Sequence, residues 1–212
     1  ENHPRAGLTA PPAGKTVSLS VMPITANIQE VLRLLAHPAS VVLVPHMNPD
    51  ADAIGSCLGL AHYLRRRGHL CTVLTPTSVP NYLQWMPGAS DIINANAHLE
   101  ACRDHIAHAQ LIFCLDYGVL SRAKDMEPYI REAPALKVNI DHHLDAVPFA
   151  DVEFRDVAAS STAELTWLFI RQIQDVLNDE QPLGPVIANC LYAGIATDTG
   201  SFRFPNTTPE TH

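Results

Sequence analysis

Short apolar runs alternate along the chain with stretches whose apolar residues recur every three to four positions. Val41 to Val44 run straight into Pro45, and LCTVL at 70–74, LIFCL near 111–115 and LKVNI at 136–140 repeat the pattern. Runs this short, bounded by turn residues, predict buried strands over 41–45, 70–74, 110–115 and 136–140, with a weaker one over 151–154. The helical period predicts helices over 27–37 with Asn27 as cap, 53–67, 97–109, 120–131, 161–177 and 184–196. The second of these closes on Arg65-Arg66-Arg67-Gly68, cations then glycine, which suits a helix end. Ser161-Thr162-Ala163-Glu164 resembles a capping box, and residues 76–91 read as loop. Alternation of strand and helix predicts an α/β fold. It is doubly wound, with a mainly parallel five-stranded sheet and helices on both faces. Residues 1–26, rich in Pro, Ala, Thr and Ser, read as a flexible N-terminal arm within which Met22 could serve as initiator, and 27–212 as one domain.

Composition narrows the choice of partner. The chain is 47% hydrophobic and 17% charged, with a net charge of −8, so a broad nucleic-acid groove of Lys and Arg is excluded. Five cysteines without CxxC spacing read as buried apolar residues of a reducing cytoplasm. No apolar run approaches the ~20 residues of a membrane span, and no signal-peptide core is present.

The predicted strand ends carry the chemistry. The first runs into His46, Asn48, Asp50 and Asp52; the third ends at Asp116; the fourth ends on Asp141-His142-His143. Asp198 follows a helix. Each has a plain alternative: an Asn-Pro-Asp turn with an Asp cap, a surface His pair, a turn-capping Asp. A parallel sheet brings its strand ends to one edge, where ligands bind in open α/β sheets. Several carboxylates sharing that edge would repel, and two divalent cations remove the conflict, four Asp charges against two M²⁺. Such a pair can bridge a hydroxide and stabilise the leaving oxygen in phosphoryl displacement. Imidazole with carboxylate suits Mn²⁺, two per site, with Mg²⁺, Co²⁺ or Zn²⁺ as substitutes. Tyr82, Trp85 and Met86 read either as a base-stacking platform or as a hydrophobic plug. Arg203 reads as a phosphate contact or a surface ion pair, and Ser161, beside Ser160 and Thr162, as an anion site or a helix cap.

HxNPDxD at 46–52, Asp116, DHH at 141–143 and TDTG at 197–200 together resemble the four motifs of the DHH phosphoesterase superfamily, across roughly residues 28–210. The YLQWMPG stretch at 82–88 and GSFRFPNTT at 200–208 resemble its nanoRNase/pAp-phosphatase (NrnA-type) branch. The resemblance implies strand order 2-1-3-4-5. It implies that His46, Asp50 and Asp116 hold one metal, and Asp52, Asp116, His142 and Asp198 the other. His143 would face the scissile phosphate as donor or general acid, Asp141 would fix an imidazole tautomer, and Asn48 and Ser56 would support the loop and helix start. It further implies hydrolysis of short RNA oligonucleotides and of pAp-like nucleotides, no long duplex substrate, and a possible homodimer. Members of this branch carry a DHHA1 substrate domain that has no counterpart in these residues, so the chain reads as part of a longer protein. Rival readings are a pApA or cyclic-di-AMP-pathway phosphodiesterase, a pyrophosphatase or exopolyphosphatase, a RecJ-like exonuclease, and a catalytically silent nucleotide sensor.

Overall fold

The computed structural model describes residues 26–209 and 211–212. Apart from Ala26, the expected arm, with Met22, lies outside them. The chain runs α1 (Ala26–Leu34), β1 (Ser40–Pro45), α2 (Ala51–Arg66), β2 (Leu70–Thr75), β3 (Ile93–Asn94), α3 (Ala95–Ala107), β4 (Leu111–Leu115), α4 (Glu127–Glu132), β5 (Leu136–Asp141), β6 (Val152–Arg155), α5 (Thr162–Leu177) and α6 (Gly184–Asp198). The sheet order is β3-β2-β1-β4-β5-β6 with every pair parallel. The five expected strands are present in the expected order. A sixth, β3, extends the edge by pairing Leu74 with Ile93 and Thr75 with Asn94. Two residues carry no readable period, so the sequence assigns them to no element.

Period-two side-chain alternation divides the strands between two cores. Val41, Leu43, Leu111, Phe113, Val138 and Ile140 face α1, α2 and α5. Val42, Val44, Ile112 and Cys114 face α3 and α4. Strands buried on both faces explain why the runs are continuously apolar. Phe169 of α5 meets Phe113 and Phe154 edge-on at centroid separations of 5.6 and 5.3 Å. Such pairs contribute about 0.5–1.5 kcal/mol each beyond burial.

Helix α6 packs over α2 rather than on the sheet. A Cβ on Gly55 would stand 2.3 Å from the Cys190 carbonyl oxygen, and one on Gly194 would stand 2.7 Å from Ala163 Cβ and 2.8 Å from Asp52 Oδ1. Only glycine permits this approach of the two backbones.

Three helix expectations change. α1 begins at Ala26, so Asn27 lies inside its first turn instead of capping it. Residues 120–131 divide into a 3₁₀ segment, Leu120–Met126, and the short α4, with the break at Lys124 (φ 52°). α6 continues through Asp198, which therefore sits in the last helical turn.

Candidate active site

The loop after β1 is pinned from both sides. Met47 N–H donates to the Arg122 carbonyl (2.9 Å), and Asn48, in left-handed backbone (φ 51°), donates its N–H to Thr77 Oγ1 (2.7 Å). Asp50 caps α2, its Oδ1 accepting from the N–H groups of Asp52 and Ala53, both at 3.0 Å. The plain reading of Asp50 as a cap is thus correct, yet the same carboxylate belongs to the cluster with His46 and Asp116. Ser56 is fully buried one turn along the helix.

Three overlapping groups form at the carboxyl edge of the sheet: His46, Asp50 and Asp116; Asp52, His142 and Asp198; and Asp116, His142 and His143. Within each group the ligand atoms lie within 4.8 Å of one another. His46 Nδ1 lies 2.7 Å from the Met47 carbonyl, which fixes that nitrogen as the N–H and leaves Nε2 toward the cluster, 3.1 Å from Asp116 Oδ2. His142 Nε2 stands 3.3 Å from Asp198, 3.8 Å from Asp116 and 4.0 Å from Asp52. All six residues expected as metal ligands therefore come together.

Asp116 directly follows β4 in left-handed backbone (φ 68°). A non-glycine residue held there marks a position over-determined by its surroundings. Its Oδ1 accepts from Thr162 Oγ1 at 2.9 Å. Asp52, fully buried, accepts from the N–H groups of Thr162 (2.7 Å) and Ala163 (2.8 Å), so the first turn of α5 grips this carboxylate. Burial and the neighbouring Asp116 and Asp198 nonetheless hold the Asp52 carboxyl well above the usual range. Burial also acts to raise Asp116, but the hydrogen bond and charge of His46, with His143 and His142, outweigh it and hold Asp116 low. For His142, burial opposes protonation, and the Asp198, Asp52 and Asp116 carboxylates overcome it, pushing the imidazole up to about 9.

His143 is held differently. Its Nδ1 meets Asp141 Oδ1 at 2.6 Å, and its Nε2 lies 3.3 Å from Arg122 Nη1. The hydrogen bond to Asp141 raises its pKa above burial's opposing effect. Asp141 is fully buried and faces Arg155, whose Nε stands 3.4 Å from Oδ2 and whose Nη2 donates to the His143 carbonyl (2.8 Å). Arg122 also donates to the Asp116 carbonyl (3.2 Å).

Ser161 is fully buried, and its hydroxyl accepts from Glu164 N–H (3.1 Å), the capping role. Arg203 donates from Nε to the Gly200 carbonyl (2.7 Å) at the surface. Sequence reasoning missed Arg122 and Arg155, and gave Thr162 no contact with the carboxylates. The signal for Arg155 is its place opposite Asp141 in the β5–β6 register; Arg122 and Thr162 offer none without the fold.

The model of the DHH family's N-terminal domain matches residues 40–195. The chain is 31% identical over 173 residues to the probable bifunctional oligoribonuclease and PAP phosphatase NrnA of Streptococcus mutans, covering 81% of this chain and 49% of that protein. It is 30% identical over 184 residues to the bifunctional oligoribonuclease and PAP phosphatase NrnA of Thermus thermophilus, covering 86% and 50%. It thus spans about half the length of the curated relatives it matches. Among solved structures, an exopolyphosphatase-related protein from Bacteroides fragilis superposes with a TM-score of 0.81 at 33% identity, covering 87% of this chain and 53% of that one. The exonuclease RecJ bound to manganese shares the fold, with a TM-score of 0.54 at 16% identity, over 88% of this chain and 46% of that one. The family match over 40–195, on a sheet whose strand ends gather the motif residues, shows that this chain belongs to the DHH family.

Proposed function

We propose that the protein carrying this chain is a Mn²⁺-dependent phosphoesterase that releases mononucleotides from very short RNA and dephosphorylates pAp. The observation that carries this reading is the sharing of Asp116 and His142 among three ligand groups at one sheet edge. The donor set is all carboxylate and imidazole, which fits Mn²⁺ and admits Mg²⁺, Co²⁺ or Zn²⁺. His46, Asp50 and Asp116 would hold one cation, and Asp52, Asp116, His142 and Asp198 the other. Bound there, the pair supplies Lewis-acid activation of water and neutralises developing charge. Names of the relatives support the substrate class, since NrnA proteins of about 30% identity are described as oligoribonucleases and PAP phosphatases.

His143 is left out of the ligand set because its Nδ1 is held by the Asp141 carboxylate and its Nε2 faces the Arg122 cation, a neighbour that disfavours a metal ion there. Its side chain is 38% exposed, while Asp141 behind it is fully buried. Asp141 accepts from Nδ1–H and favours the imidazolium, so that once a substrate oxygen replaces Arg122 beside Nε2, a protonated Nε2 would deliver its proton to the departing oxygen. Arg122 supplies a permanent positive charge beside the same position, suited to a phosphate oxygen. The free cysteines fit the reducing cytoplasm expected from the sequence.

A second reading, hydrolysis of pyrophosphate or polyphosphate, is favoured by the likeness to the exopolyphosphatase-related protein. One assay separates the two. Mn²⁺-loaded protein should release mononucleotide from an end-labelled diribonucleotide and stop when chelator is added. Cleavage of polyphosphate with the dinucleotide left intact would overturn the proposal.

A further inference from the structure

Beside the Asp/His cluster, and taking no part in it, lies a groove of about 480 Å³ between the turn at 81–86 and the outer face of α6. Three aromatic side chains line it while remaining open to water: Tyr82 (66% exposed), Trp85 (61%) and Tyr192 (61%). They stand on fixed supports. Leu83 and Met86 of the same turn are buried, and His62 Nε2 holds the Pro87 carbonyl at 2.8 Å. Tyr192 leans on Phe202 at a centroid separation of 5.9 Å. The hydrophobic-plug reading is therefore true of Leu83 and Met86 and not of the two aromatics that alternate with them.

The groove borders residues that adjoin the cluster along the chain. Its lining includes Ala51, between Asp50 and Asp52, and Thr197, directly before Asp198. On its far side Asn189 is exposed and offers an amide donor and acceptor. Aromatic faces with one amide form the kind of surface that holds a planar heterocycle: stacking accepts any base, and the amide orients one edge.

We propose that this groove is a nucleobase subsite, taking the base of the nucleotide whose phosphate lies at the cluster. The inference rests on the phosphoesterase reading and adds a reason for preferring nucleotides to polyphosphate, which has nothing to stack.

The test uses Trp85 as its own reporter, with the second tryptophan removed by Trp167→Phe. AMP should quench Trp85 fluorescence, ribose 5-phosphate should not, and Tyr192→Ala should weaken AMP binding about tenfold. In turnover, Trp85→Ala should raise KM for a diribonucleotide about tenfold with kcat within twofold, and leave an abasic dinucleotide unaffected. Equal binding of AMP and ribose 5-phosphate, or unchanged AMP affinity in Tyr192→Ala, would overturn the subsite. A Trp85→Ala protein that sediments as monomer where the parent is a dimer, with AMP affinity unchanged, would assign the groove to contact between copies and overturn it too. Quenching reads the groove without turnover. Absence of hydrolysis on every phosphoester sinks the phosphoesterase reading, while AMP-selective quenching upholds the base site.

Discussion

Asp116 shows how a single residue constrains its own test. Its left-handed backbone (φ 68°) is tolerated by Asn and costs alanine about 1–2 kcal/mol, so an alanine variant mixes lost chemistry with lost stability. Asp116→Asn keeps the conformation and removes the charge. It should fold normally, bind metal weakly and lose at least about 10³-fold in kcat, given its place in both proposed ligand sets. His143→Ala should keep both metals while kcat falls about 10²- to 10⁴-fold, the usual span for a proton donor. Metal content by elemental analysis beside kcat checks both; loss of both metals in His143→Ala would make it a ligand. At this scale the sequence is most legible where residues are local. Each expected ligand stands at the end of an apolar run or in a four-residue motif, and all six converge. Arg122 is not legible, because its turn has a helix-like pattern and its partner His143 comes from another strand end. Arg155 needs the β5–β6 register before it has a partner at all.

Elements were readable in proportion to their length and period. Four strands announce themselves by apolar runs and β6 by the weaker alternation Val152-Glu153-Phe154-Arg155, whereas Ile93–Asn94 is two residues paired to an edge. The 120–131 stretch misleads because Lys124 adopts φ 52°; Pro128, at the start of α4, is the residue there that signals a new helix. Packing between helices was invisible for another reason: Gly55 and Gly194 look like weak points in helical patterns until α2 and α6 are brought together. Gly194→Ala is the decisive substitution. Its methyl would press on Ala163 Cβ and Asp52 Oδ1 at under 3 Å, both on rigid helices. Overpacking of this kind costs about 1–3 kcal/mol. A lowered urea midpoint, with weaker Mn²⁺ binding by titration, is the expected result; unchanged values for both would mean that α6 shifts without strain.

For the molecule as a whole, the end of α2 opposite the site has its own fastening. Asp179, in the loop between α5 and α6, accepts from Tyr63 Oη (3.2 Å) and pairs with Arg67 (3.1 Å) and Arg66 (3.6 Å). Burial acts to raise its carboxyl, and the Gln181 N–H with Arg67, Tyr63 and Arg66 outweighs it, leaving Asp179 below the ordinary range. A carboxyl depressed on folding contributes stability that is fully present above its unfolded value, about 3.9, and is lost as pH falls through the folded value. Asp179→Asn should therefore cost about 1 kcal/mol at neutral pH, with the gap to the parent closing below about pH 4. Urea midpoints at pH 7, 5 and 3 check the sign; a gap that persists at pH 3 would refute it.

Asp198 arrives at the cluster on α6, which packs chiefly on α2 and α5 and is seated through glycine against the backbone of α2. Seating that helix and holding the proposed second cation would then be two faces of one equilibrium, and thermodynamic reciprocity makes such coupling symmetric. A compound wedged beneath α6 would weaken the cation by the same factor by which the cation resists the wedge. The glycine contact, which on its far side meets Asp52 itself, thus ties the seating of α6 to the proposed cation site.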